Sequence, residues 1–590
     1  MFFFNAKDAK KGNKRKGRKG IFSQYSIPIT HYLFLVAILL FSECAQIVMP
    51  NGGTKDTTPP KVVKYMPDSA ATNFKGKEIN IVFNEYVQLK NVNDQLIVSP
   101  LLDEQPEIKL VKNHILNIEF KKALKENTTY TMNFGNSIVD YNEGNEVDNF
   151  QYVFSTGSFI DSLSLSGKVQ HAFDHKTEKG ILVMLYDAST FSDSTPYKTQ
   201  PSYFSKTKAD GTYKINNIRS GKYKLFALRD ENRNYKYDES EIIGFQDQEV
   251  EINKNTLVDV EVFKEVPKKL KMLSAKAVDY GHIVIVLNRS VNYPSIKALN
   301  VSKIPTEILD VSKTEDSLNY WFEGVMADSL KLEVSDSRKI IDTVEIRLIT
   351  KEQAVKIDKD KFKLEVKSNI VPGQSFAPNK EFLFKFNHLV NKDNILFPNG
   401  ILKRGKDSLD YEVVFDQERT TKDSNYYHSF TIKPDILSMS KDSIKYYSEN
   451  HLAFLPGVKY SVFVPPGQLK DIFGLKNDTF KIEFKTQELK YYGTLKLKLV
   501  REPKIVFIPQ LLDSKENIVK EEIVYDNTTF NYDYLDPGNY KLKLIYDIDR
   551  DNKWTPGDYV TKRQAEKVIY YEKPIVVRSN WDLELEWKIN

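Results

Sequence analysis

Oxygen-bearing side chains recur at alternate positions in two loops of this chain. The first loop carries Asp230, Asn232, Asn234, Asp238 and Glu241; the second carries Asp547, Asp549, Asp551, Thr555 and Asp558. Counted from the leading aspartate, the first set falls at positions 1, 3, 5, 9 and 12, the spacing with which an EF-hand loop wraps calcium, and the second fits at 1, 3, 5 and 12. Carboxylates gathered this closely repel one another, and a divalent cation relieves the repulsion. The expected cofactor is therefore calcium, in a structural role. Two features depart from that pattern. Tyr235 and Asn552 stand where such loops place glycine, and the flanking segments read as strands rather than helices. The competing reading is a pair of solvated turns in which short polar side chains cap the backbone.

Other chemistry is sparse. His171 and His175 are four apart, but they sit in an inter-strand loop with no further His or Cys nearby, which makes a weak zinc site. There is no Gly-x-Ser-x-Gly elbow, no His-Glu-x-x-His pair and no phosphate-cradling glycine loop. Acids two apart, such as Asp547 and Asp549, are more simply ligands or solvated groups than a glycosidase pair. No catalytic constellation is visible, and the chain is expected not to be an enzyme. The pairs Tyr426-Tyr427, Tyr446-Tyr447, Tyr491-Tyr492 and Tyr570-Tyr571 each offer one outward ring for stacking on a sugar if they lie on strands, although one ring in the core and one partly wet is the simpler outcome.

The elements that must position the two loops are themselves duplicated. Each loop follows a Gly-x-Tyr-Lys strand, GKYKLFAL from Gly221 and GNYKLKLIYD from Gly538. Upstream, Leu165-Ser166-Gly167-Lys168-Val169, the strand GILVMLYDA and Asp210-Gly211-Thr212-Tyr213 find counterparts in GTLKLKLV, IVFIPQLLD and the run Asp526 to Phe530. A second pattern occurs three times: INIVFNEYV at Ile79, IVIVLNRSV at Ile283 and FLFKFNHLV at Phe382. Each is a period-two strand ending in apolar-Asn-x-x-Val, which predicts a bend after a buried strand. The first and third copies are followed by closing strands, FQYVFSTG and FKIEFKT, whereas the middle copy shows no clear closing segment. Aromatic residues make up 12% of the chain, with 33 Tyr and 35 Phe, which favours strands. The predicted class is all-β: tandem β-sandwiches.

These motifs carry a resemblance. Residues 57–157, with Thr58-Pro59-Pro60 and Phe83-Asn84-Glu85-Tyr86-Val87, resemble the bacterial Ig-like domain of surface-layer proteins and of lipoproteins of Bacteroidetes type; residues 371–488 are similar, with His388 in place of Glu85. The Asp-Gly turn and returning Gly-x-Tyr strand of residues 158–265 and 489–590 resemble the carboxypeptidase regulatory-like, or transthyretin-like, sandwich. Residues 266–370 read as a degenerate Ig-like sandwich. The resemblance implies spacer or binding modules rather than catalysts.

The N-terminus adds an address. A basic run, Lys7 to Lys19, precedes the apolar segment Tyr32 to Phe41, and Cys44, the only cysteine of the chain, follows directly. Ten apolar residues span about 15 Å as a helix, half a bilayer core, so residues 1–43 are expected to be an export signal. The arrangement resembles a bacterial lipoprotein signal, which implies lipidation of Cys44, although Glu43 departs from the small residue usual there. Residues 44–56, rich in Gly, Thr and Pro, read as a tether. Of the +5 formal charge, the first 43 residues hold eight Lys/Arg against two acids, so the body is near neutral and nucleic acid is not an expected partner. The expectation is an elongated, non-enzymatic scaffold or interaction lipoprotein of the cell envelope, lipid-anchored at the outer membrane and holding an envelope protein or glycan. The alternative is a carbohydrate-binding or adhesion lipoprotein using exposed aromatics.

Overall fold

A computed structural model describes residues 56–589 apart from 149, 358–362, 396–400, 416–424, 502–504 and 527. The export signal, Cys44 and all of the tether but its last residue lie outside the described residues. Within them the chain is almost entirely strands, arranged as successive two-sheet sandwiches, each with its own buried core.

Three sandwiches share one topology. In the first, an antiparallel sheet orders Val62–Met66, Glu78–Phe83, Ile115–Glu119 and Glu107–Val111, and faces a sheet of Ile97–Ser99, Thr129–Gly135 and Phe150–Ser155. The same order recurs with Met272–Asp279, His282–Leu287, Ser317–Glu323 and Thr306–Val311, and again with Val366–Ser368, Phe382–Asn391, Tyr426–Pro434 and Tyr411–Phe415. The repeated asparagine has one job in all three. Asn84 Oδ1 accepts from the Lys61 amide at 2.6 Å, Asn288 Oδ1 from Lys271 at 2.8 Å and Asn387 Oδ1 from Glu365 at 2.8 Å. Each clamps the chain leading into the first strand to the second strand, giving an incoming backbone amide a side-chain partner. The middle copy does close, through the hairpin Ser329–Asp336 and Lys339–Arg347. Its outer strand is largely solvent-facing, so it lacks the aromatic core residues that mark the closing strands of the other two.

A further architecture occurs twice. Leu163–His171 pairs antiparallel with Thr212–Ile218 and parallel with Val260–Lys264; Gly493–Arg501 pairs antiparallel with Thr528–Leu535 and parallel with Asp582–Ile589. In both, the Gly-x-Tyr strand, Gly221–Leu228 or Gly538–Asp547, lies antiparallel to the second strand of its unit. Its tyrosine fixes the turn before it: Tyr223 Oη donates to Arg219 O and Tyr540 Oη to Asp536 O, each at 2.8 Å.

The expectation of an elongated string is corrected by contacts between distant sandwiches. Tyr559, 2% exposed, enters a cluster with Phe226, Phe245 and Tyr237 of the second sandwich. Lys553 of the last sandwich pairs with Glu315 of the third at 3.0 Å. The consecutive third and fourth sandwiches also meet, where Asp310 accepts from His428 at 2.7 Å. The chain doubles back because burying these rings gains about 1.5–3 kcal/mol each, which strand periodicity within one sandwich does not reveal.

Candidate functional site

The two Asp-rich loops flank the junction of the second and last sandwiches. In the first loop Asp230 accepts from the amides of Asn234 and Tyr235 at 3.1 and 2.9 Å; in the second Asp547 accepts from those of Asp551 and Asn552 at 3.2 and 3.1 Å. The backbones match as well. Arg233 and Tyr235 have φ of 63° and 60°, and Arg550 and Asn552 have 61° and 63°. The missing glycines are thus replaced by residues held in the left-handed region, at a cost of about 1–2 kcal/mol for Tyr235. Tyr235 is seated against Phe204 with ring centroids 5.1 Å apart.

The closing carboxylate corrects the alignment read from sequence. Glu241 accepts from the amides of Glu231 at 2.8 Å and Asp238 at 3.1 Å. The residue in that position of the second loop is Glu566, which accepts from Ile548 at 2.6 Å and Thr555 at 2.9 Å. Asp558 instead caps the next turn through the Thr561 amide at 2.8 Å. Glu566 comes from the loop's exit rather than its twelfth position, because the second loop is longer and returns to its strand through Thr555–Glu566 pairing. The signal available in the sequence was a glutamate shortly before the next strand, Val568–Tyr570, as Glu241 precedes Ile242–Phe245. Burial pushes both Glu241 and Glu566 above the usual carboxylate range.

The loops differ in charge. Asp547, Asp549 and Asp551 bring a carboxylate oxygen each to within 4.8 Å of one another, with Asp547 buried. In the first loop the amides of Asn232 and Asn234 donate to Asp238 Oδ2 at 2.6 and 3.0 Å, so neutral groups offset the acids there. Oxygens at the first, third and fifth positions plus a buried glutamate form a donor set of hard ligands suited to calcium, and the second loop has the greater unbalanced negative charge.

Between the loops, one carboxylate joins the two sandwiches. Glu265 accepts from Tyr237 Oη of the first loop and from the Tyr559 amide of the second. Tyr559 Oη donates to Asp193 O at 3.1 Å, Lys562 pairs with Asp193 at 2.7 Å, and Gln564 donates to Phe245 O at 3.0 Å. Phe173 lies 5.0 Å from Trp554, and a Cβ on Gly557 would fall 2.2 Å from the Phe263 ring. His171 and His175 are not brought together on a metal: His171 pairs with Glu178 at 3.3 Å, and His175 packs its ring edge on Tyr570 at 5.2 Å.

The tyrosine pairs divide between core and surface. Tyr427, Tyr447 and Tyr492 are 5%, 2% and 7% exposed, while Tyr446 and Tyr491 are 41% and 39% exposed. Tyr446 and Tyr447 lie on the helix Lys441–Glu449, not on a strand. A cluster that the sequence did not single out lies between the third and fourth sandwiches. His282 stacks on Trp321 at 3.6 Å, His388 bonds to buried Asp471 at 2.7 Å, and His428 bonds to Asp310. Burial lowers His282 to about 4.

Comparison with solved structures finds the Bacillus anthracis TIE protein, at 11% identity over 91% of this chain and 76% of that one, with a TM-score of 0.14. It also finds BcpA, the major pilin subunit of Bacillus cereus, at 10% identity over 72% of this chain and 98% of that one, and the surface layer protein SbsC, domains 1–6, at 11% over 88% and 67%, both with TM-scores of 0.13. Likeness at this level carries no inference about function. No curated protein matches the chain. By sequence profile, residues 56–156 are a bacterial Ig-like domain.

Proposed function

We propose that this chain is a non-enzymatic lipoprotein of the cell envelope, anchored through Cys44, whose sandwiches form a folded-back scaffold for interaction with an envelope partner. The observation that carries the reading is the docking of the last sandwich on the second around Tyr559 and Glu265. A chain that uses a buried aromatic, a shared carboxylate and a flanking ion pair to hold two remote domains is built to present surfaces in fixed relative positions. In this reading the two sandwiches that meet there are of the carboxypeptidase regulatory-like type, and the loops beside the junction take structural calcium. The ligands are Asp547, Asp549, Asp551 and Glu566 in one loop, and Asp230, Asn232, Asn234, Asp238 and Glu241 in the other. The apolar segment before Cys44 and the tether after it support attachment to the outer membrane. The test is Cys44→Ala: it abolishes incorporation of labelled fatty acid and releases the protein from membranes, and retained label refutes the anchor.

A further inference from the structure

The first and second sandwiches enclose a cleft of about 790 Å³, within the range of small-ligand sites. The two walls are fixed before any ligand arrives. Thr131 Oγ1 bonds to Asn217 Oδ1 at 2.9 Å, Asn217 Nδ2 donates to Asp161 O at 2.8 Å, and Leu101 of the first sandwich is buried in a cluster of the second.

Strand alternation decides what faces the cleft. On Thr212–Ile218, Tyr213 and Ile215 point into the core of the second sandwich, which leaves Lys214 and Asn216 on the opposite, cleft-lining face. On the other wall Asn133 and Gln151 are direct cross-strand partners, so their amides project side by side. Lys179 and Lys208 stand at the rim. Among the described residues, Lys179, Lys208 and Lys214 have no carboxylate within ion-pair distance, and the Gln151 and Asn216 side chains have no hydrogen-bond partner. The cleft's carboxylate, Glu146, is already engaged by Asn136 Nδ2 at 2.7 Å.

We infer that this cleft binds an acidic oligosaccharide. The amides of Gln151 and Asn216 each offer a donor and an acceptor, the pairing that a sugar's vicinal hydroxyls require, and the ammonium groups of Lys179, Lys208 and Lys214 supply the counter-charge for carboxylates borne on the sugar rings. The Tyr213 ring is buried and its hydroxyl donates to Val258 O at 2.7 Å, so the cleft has no open aromatic platform on which nucleic acid bases would stack. The site is independent of the anchor at Cys44 and of the calcium loops, and it gives the scaffold a defined ligand class.

The test is isothermal titration of the mature, full-length chain with trigalacturonate, with maltotriose as the uncharged control and tetraglutamate as an acidic peptide. Trigalacturonate binds, more weakly as salt rises, and maltotriose binds at least about tenfold more weakly. The Lys179→Gln/Lys214→Gln variant weakens trigalacturonate by about tenfold, and Gln151→Leu weakens it with the salt dependence unchanged. Lys179 and Lys214 are exposed and Gln151 is half-buried, and thermal melting confirms that each variant is folded. Absence of trigalacturonate binding, equal affinity for maltotriose, tighter binding of tetraglutamate, or affinity unchanged in the lysine variant overturns the assignment.

Discussion

The ammonium of Lys543 lies 3.0 Å from the centroid of the Phe173 ring, across the junction between the last sandwich and the second. Lys543 is 3% exposed, and burial pulls its pKa down to about 8. The cation–π contact offsets only part of the cost of taking the charge out of water.

The lysine therefore sets a pH dependence with a definite sign. Between about pH 8 and the ordinary lysine value near 10.5 the unfolded chain holds the proton and the folded chain does not, so stability rises with pH across that window. Below it the folded state carries a penalty of about 3 kcal/mol. Lys543→Met removes the charge while keeping the length of the chain against Phe173. It is expected to raise Tm at pH 7, with the gain shrinking as pH approaches 10.5. An equal gain at both pH values refutes the assignment.

Gly557 controls whether the last sandwich docks. A methyl group there meets the Phe263 ring, 2% exposed, at 2.2 Å, an overlap that requires the ring or the interface to shift. Gly557→Val is expected to separate the two sandwiches while each keeps its own core, read by X-ray scattering as an increased radius of gyration. Tyr559→Ala, which empties a buried aromatic site, costs about 3–5 kcal/mol of docking and gives the same expansion. A radius unchanged in both variants refutes the folded-back arrangement in solution.

Calcium binding distinguishes the two candidates for the closing ligand of the second loop. Calcium is expected to raise Tm, by an increment that grows with its concentration over the dissociation constant. Glu566→Gln reduces the increment, whereas Asp558→Asn leaves it intact because Asp558 caps the separate Thr561 turn. Loss of the increment in Asp558→Asn, with Glu566→Gln silent, restores the linear twelve-position alignment. No shift with calcium or chelator reduces both loops to turns.

His282 makes the junction of the third and fourth sandwiches sensitive to acid. Its folded pKa of about 4 lies below the unfolded value of 6.5, so the unfolded chain binds the extra proton between them. Stability is fully present above about pH 6.5 and falls by up to about 3 kcal/mol as pH drops toward 4. His282→Phe keeps a ring on Trp321 and is expected to flatten that limb of the pH–stability curve. An unchanged acid limb refutes the assignment to His282.

Local order was the legible part. Strand alternation marked Ile79, Ile283 and Phe382 as starts of buried segments, and all three are 0% exposed. The asparagine that ends each segment was visible as a pattern, but its bond to the incoming chain joins residues 17 to 23 apart and has no local signature. The aspartates of the two loops were also legible, since their partners are amides within five residues.

By itself, then, the sequence determined the all-β character, the threefold and twofold repeats, and the loops rich in oxygen ligands, because each follows from side chains whose spacing matches a strand or a turn. Only the tertiary structure decided that Glu566 rather than Asp558 closes the second loop, that Tyr559 folds the chain back onto Phe226 and Phe245, and that Lys214 and Gln151 face one cleft. Those relations join residues far apart in the chain through burial and charge, which act by distance in space and leave no periodic trace along the sequence.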